Sequence, residues 1–156
     1  MEIQKFILDD FETDDITVGL VRLAKQIPDF EFFFRVNEVN SFTFSRIEDL
    51  VLEGNYYSYA FPVFEGYSKV EKTCFRFISN RSSESRLKKE ITELFTDEQN
   101  IKLLLNNHPD IDYIIKTSDK IADFSLILLP ENIAFATQEL VLENDSELYQ
   151  TIQYYE

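Results

Sequence analysis

The single histidine, His108, stands two residues before Asp110 and four before Asp112. On a strand, alternation would bring all three side chains to one face, a beginning for a metal site of imidazole and carboxylate ligands. Pro109 interrupts that stretch, and no further strong ligand stands nearby in the sequence. Asn107, Pro109 and Asp110 are turn formers, so the pattern predicts a turn entering a strand, and no metal ligand is assigned. The acids Asp9, Asp10, Glu12, Asp14 and Asp15 suggest calcium, but the Gly and the closing Glu of an EF-hand loop are missing. A solvated acidic turn is the expectation there. Cys74, the only cysteine, sits among aromatic residues. A reactive thiolate needs a cation, a helix N-terminus or a histidine partner, here only His108. A packed thiol is expected instead.

Other chemistries find fewer residues to use. No Gly-x-Ser-x-Gly elbow occurs, and Gly19, Gly54 and Gly66 are too scattered for a phosphate loop. Carboxylates are so numerous that their presence does not single out a catalytic pair. No catalytic residue and no cofactor is assigned.

The aromatic residues are better ordered. Tyr57, Tyr59, Phe61 and Val63 form a period-two stripe, and Phe75 and Phe77 belong to a following strand. Such a stripe either packs a core or forms an exposed platform. A single-strand nucleic-acid platform would pair it with a basic groove. Only Arg76, Arg81 and Arg86 lie close in sequence, against 29 acidic and 15 basic residues and a net charge of −14. That field repels phosphate backbones and anionic membranes, so neither nucleic acid nor membrane is expected as a partner. It suits a basic protein partner, or solubility alone. Tyr57, Tyr59 and Phe61, with Asp110 and Asp112, are the candidate interaction surface.

These residues need a frame, and the length of 156 residues suits one domain covering 1–156. With 15 Phe and 8 Tyr there is ample area for a core. One cysteine allows no internal disulfide, the N-terminus has no basic and apolar leader pattern, and no apolar run approaches the ~20 residues of a membrane helix. The cytoplasm is the expected location.

Strands are predicted at Ile3 to Leu8, at Ile16 to Ala24 (central and covered on both faces), and from Phe42 through Leu52. A turn at Gly54-Asn55 leads into the stripe at 57–63, Gly66 turns the chain again, and 73–78 completes a three-strand meander. Further strands are predicted over Asp112 to Thr117 and Ile133 to Leu142. For 29–36, Pro28, the early acids and apolar 30, 33 and 34 favour a helix, although the aromatics suit a strand. Helices are also predicted at Ser83 to Phe95, Ile101 to Leu105 and Asp119 to Leu129 (capped by Ser118, stopped by Pro130). A closing helix carries Leu148, Tyr149, Ile152 and Tyr155. Two β-α-β units, 16–52 and 112–142, then share one sheet. The fold class is α+β: a mixed or antiparallel sheet with helices packed on it, ferredoxin-like with an extra hairpin and a helical insertion.

Four segments in order carry a family resemblance: Ile16-Thr17-Val18-Gly19-Leu20, Arg46-Ile47-Glu48-Asp49-Leu50, Phe77-Ile78-Ser79-Asn80-Arg81 and Ile111-Asp112-Tyr113-Ile114-Ile115-Lys116. The set, over residues 5 to 142, resembles the IPExxxVDY family of small bacterial proteins. The naming window here is Leu105-Asn106-Asn107-His108-Pro109-Asp110-Ile111-Asp112-Tyr113. Asn106 and Asn107 replace the Pro and Glu, so a role needing that Glu does not carry over. Residues 82–101 are long for the family. The resemblance implies a bacterial cytosolic domain and brings no activity or site residues.

The expected role is a non-catalytic protein–protein interaction module that binds a protein partner or associates with itself. The alternative is a small-ligand-binding regulatory domain, and a carboxylate enzyme using Asp110 and Asp112 ranks last.

Overall fold

The computed structural model describes residues 15–83, 86–87, 100–119, 121–143 and 146–154. The expected strand at 3–8, acids 9–14 and Tyr155 lie outside them, as does most of the helix expected at 83–95. The strands are β1 (Ile16–Val21), β2 (Phe44–Glu53), β3 (Tyr57–Ser68), β4 (Thr73–Ser79), β5 (Arg86–Leu87), β6 (Tyr113–Thr117) and β7 (Gln138–Leu142). The helices are α1 (Asp29–Val39) and α2 (Glu147–Tyr154). The sheet runs β2-β3-β4-β6-β1-β7, with β5 paired to β3, and every pairing is antiparallel. The class is α+β. Four antiparallel steps separate β2 from β1, so the two run parallel, and the β1–α1–β2 crossing passes over three strands. β6 and β7 flank β1 in the manner of a split β-α-β unit. The β3–β4 hairpin is the addition to that order.

Each face of the sheet buries its own core. On one face Phe32, Phe33 and Val36 of α1 pack on Phe44, Phe64, Phe75, Phe77, Tyr113 and Ile115. Rings stack at 3.9 Å for Phe33–Phe64 and 5.0 Å for Phe32–Tyr113. On the other face Val18, Leu20, Leu50, Phe61, Val63, Ile78 and Ile114 meet Leu105, Ile111 and, from α2, Leu148 and Ile152. The β1 segment is therefore central and covered on both faces, as its mixed parity predicts.

α1 forms because buried positions 32, 33 and 36 share a stripe, and the Phe32 amide finds the Pro28 carbonyl at 3.0 Å. Asn37 exchanges two hydrogen bonds with the Phe44 backbone, at 2.7 and 3.1 Å, fixing α1 to β2. In β2 the pairing shifts between Ile47 and Leu50, a bulge that Arg46 and Asp49 bridge at 2.7 Å. The extra residue reverses parity, so odd-numbered Ile47 and even-numbered Leu50 serve the same face.

Several expectations are corrected. Gly66 does not turn the chain: it lies inside β3, opposite Phe44 and Phe75. A Cβ there would fall 2.8 Å from the Phe44 ring, so glycine makes room for an aromatic cover rather than a bend. The turn comes at 69–72, where Lys72 takes a φ of 56°. Residues 101–105 are not helical; the Ser82 amide donates to the Lys102 carbonyl, the Lys102 amide donates to the Ser82 hydroxyl, and Leu103 bridges to Arg81. Arg86 and Leu87, expected in a helix, pair with Ser58 and Tyr57 as a strand. The helix expected over 119–129 reduces, among the described residues, to a 3-10 turn at Phe124–Leu126 capped by Asp123. Ser118 instead exchanges hydrogen bonds with the Cys74 backbone, continuing the β4–β6 contact past the end of β6. The last strand begins at Gln138 rather than Ile133, because 131–134 form a turn bonded to the Pro130 carbonyl.

Candidate functional site

Strand pairing decides where the aromatic stripe points. Phe61 is fully buried and Tyr59 nearly so, both on the α2 face, with Tyr57 half-buried beside them. Val63 pairs with Ile78 and Phe64 with Phe77. Paired residues share a face, so Phe75 and Phe77 belong with Phe64, on the opposite side from Tyr59 and Phe61. The platform imagined across two strands is therefore split between two cores. Lys102 lies over the Tyr59 ring at 5.8 Å.

Asp110 and Asp112 lie in the turn before β6, not on it. Asp112 accepts from the Leu23 amide at 2.8 Å and from Gln26 at 3.4 Å, while its own amide donates to Val21. Asp110 pairs with Arg22 at 3.3 Å. Both carboxylates hold the end of β1. The organiser of this turn is Asn80, a fully buried residue at the end of β4. Its amide nitrogen donates to the carbonyls of His108 and Ile111 at 3.1 and 3.0 Å, and its oxygen accepts from the Leu105 amide at 2.8 Å. Asn80 of the 77–81 segment and Ile111 of the 111–116 segment thus meet at one structural knot. No three His, Cys, Asp or Glu side chains gather among the described residues in a way that could hold a metal ion.

His108 and Cys74 are at opposite ends of β4, about 20 Å apart by strand rise. Cys74 lies beside Arg76, Lys116, Thr117 and Ser118. Burial, then the Glu65 charge and its hydrogen bond, push the thiol up to about 11 against smaller lowering by Arg76 and Lys116. At neutral pH it is a protonated thiol and a poor nucleophile. Both cations are occupied: Arg76 with Glu65 at 2.8 Å, and Lys116 with the Ile152 carbonyl at the end of α2, at 3.1 Å. Tyr113 donates to Asp29 in the first turn of α1; burial, then this bond, raises its pKa and keeps the phenol neutral. Among the described residues, no buried side-chain nitrogen or oxygen lacks a hydrogen-bond partner. The buried polar side chains of the described residues are therefore tied into the fold.

The exposed surface includes several large apolar side chains. Phe30 and Phe34, one turn apart on α1, are 76% and 62% exposed, although the intervening Phe32 and Phe33 are buried. Leu128 and Phe135, beyond the 3-10 turn, are 56% and 50% exposed. They border a groove of about 670 Å³ that also has Asp123, Glu131 and Glu139 in its wall. A second, more polar cleft of about 810 Å³ lies between the β2–β3 turn and residues 100–106, with Asn55, Arg81, Lys102 and Asn106 around it. Reasoning from sequence missed the first groove because both its walls were assigned to regular elements, which hides their apolar side chains in a notional core. Pro130, between two apolar runs, was the available signal that this stretch leaves the sheet.

Comparison with family models, curated proteins and solved structures returns no match. No helix of the described residues is long and apolar enough to cross a membrane.

Proposed function

We propose that the protein is a non-catalytic protein–protein interaction module and a member of the IPExxxVDY family, the latter on the ordered segments alone. One observation carries the functional reading: polar groups that could do chemistry are bound into the fold, while large apolar side chains stand exposed on α1 and beyond the 3-10 turn. Two phenylalanines left in water one helical turn apart serve folding poorly and suit contact with another protein. The surrounding negative charge favours a basic partner. The test is affinity purification of the tagged chain from its own cells with mass spectrometry, beside sedimentation of the pure protein. A reproducible partner, or a dimer dispersed by Phe30→Ser with Phe34→Ser, supports the reading. A clean monomer that captures nothing refutes it.

A second reading, a small-ligand-binding regulatory domain, is favoured by the 810 Å³ cleft, where Arg81 and Lys102 stand with amide side chains in an otherwise acidic molecule. A thermal-shift series of small carboxylates and phosphates tests it; no rise in Tm with any of them removes it.

A further inference from the structure

The groove beside the 3-10 turn has a chemical character that selects its occupant. Its floor is the outer edge of the α1-side core, where Phe124, Ile127 and Ala134 are buried. Above them Leu128 and Phe135 keep half or more of their surface in water. The acids in its wall, Asp123, Glu131 and Glu139, are all exposed. Among the described residues no Lys or Arg lines the groove and none pairs with Glu131 or Glu139. Arg22 lies over the Phe135 ring at 5.0 Å, and its charge is already met by Asp110 at 3.3 Å. Asn40 holds the site in place: it bonds both backbone groups of Leu128 at 2.8 Å and ties them to the end of α1.

We propose that this groove is a docking site for a basic protein segment that carries apolar side chains between its lysines or arginines. The inference rests on the interaction-module reading and adds where the partner binds and what it is made of. An apolar floor inside a ring of carboxylates complements such a segment twice. The apolar side chains cover Leu128 and Phe135, and the cations meet Glu131 and Glu139 at the rim, where partner charge also steers the approach. A purely basic segment would leave the apolar surface wet, and a purely apolar one would desolvate carboxylates without pairing them.

The test is fluorescence anisotropy on the full chain with a short labelled peptide of alternating lysine and leucine, beside an oligolysine of equal charge. The alternating peptide is expected to bind about tenfold or more tightly than oligolysine. Glu131→Lys with Glu139→Lys should weaken it by about tenfold or more, whereas Glu48→Lys with Glu53→Lys on the opposite sheet edge, an equal change in net charge, should alter it by less than about twofold. Leu128→Ser with Phe135→Ser should remove the preference over oligolysine. If those apolar variants fail to fold, the exposed charge pair decides the matter alone. Equal losses from both charge reversals, or no binding of the alternating peptide by the wild type, overturns the proposal. A native partner still captured by the Glu131→Lys, Glu139→Lys variant would leave the interaction-module reading standing and remove this groove from it.

Discussion

Asn80 shows how one buried polar side chain can organise a connection that has no regular structure. Three of its hydrogen bonds go to the backbone of 105–111, a segment without helix or strand. Asn80→Leu, close in size, would leave the Leu105 amide and the carbonyls of His108 and Ile111 without this partner. Unsatisfied buried groups cost about 1–3 kcal/mol each before relaxation. The variant is therefore expected to lose about 2–4 kcal/mol in urea denaturation, and a loss under about 1 kcal/mol would show that water replaces the amide. Asp110 and Asp112 work beside it on β1, which explains acids clustered there without invoking chemistry.

Among the elements, β2 and β3 carry the clearest packing constraint. Gly66 pairs with Phe44, whose ring occupies the place of a Cβ at 2.8 to 3.1 Å. The same ring touches Phe33 and Phe77, with centroids at 6.0 and 5.0 Å, so it has nowhere to retreat. Gly66→Ala should cost about 1–3 kcal/mol as an overpacked core, despite the smaller backbone entropy lost by alanine on folding. Were Gly66 a turn residue, as its isolation in the sequence suggests, alanine would be tolerated when φ is negative. Equilibrium denaturation separates these outcomes.

At the scale of the molecule, the excess of 29 acids over 15 bases governs behaviour in salt. Four ion pairs are found among the described residues, each with at least one partner more than a fifth exposed. Such pairs contribute little individually, so self-repulsion dominates the electrostatics. Raising sodium chloride from about 0.02 M to about 0.3 M shortens the screening length below typical charge separations and should raise Tm by a few degrees. An unchanged or falling Tm would mean that the acids are already spread widely enough to ignore one another. The same field would weaken docking of a basic segment in salt, so stability and binding should respond in opposite directions.

Local periodicity was enough for the α+β class, for the β3 stripe and for the alternating faces of β4 and β6, because each of these strands buries a face its own spacing defines, and it placed the two helices of the described residues. Pro28 and the apolar positions 30, 33 and 34 pointed to α1 even though aromatic content suited a strand, but the face it buries is 32, 33 and 36, and Phe30 and Phe34 stay exposed. What spacing could not supply was the identity of each neighbour. The split of Tyr59 and Phe61 from Phe75 and Phe77 depends on the register of β3 against β4. The role of Gly66 depends on Phe44, far away in sequence, and the shape of 101–111 depends on Asn80. The apolar residues of 124–135 look like core until the chain is seen to run outside the named strands between Thr117 and Gln138. Hydrogen bonds and van der Waals contacts act between groups that only the folded backbone brings together, so the elements could be read one by one while the exposed apolar surface and its acidic rim emerged only from their assembly.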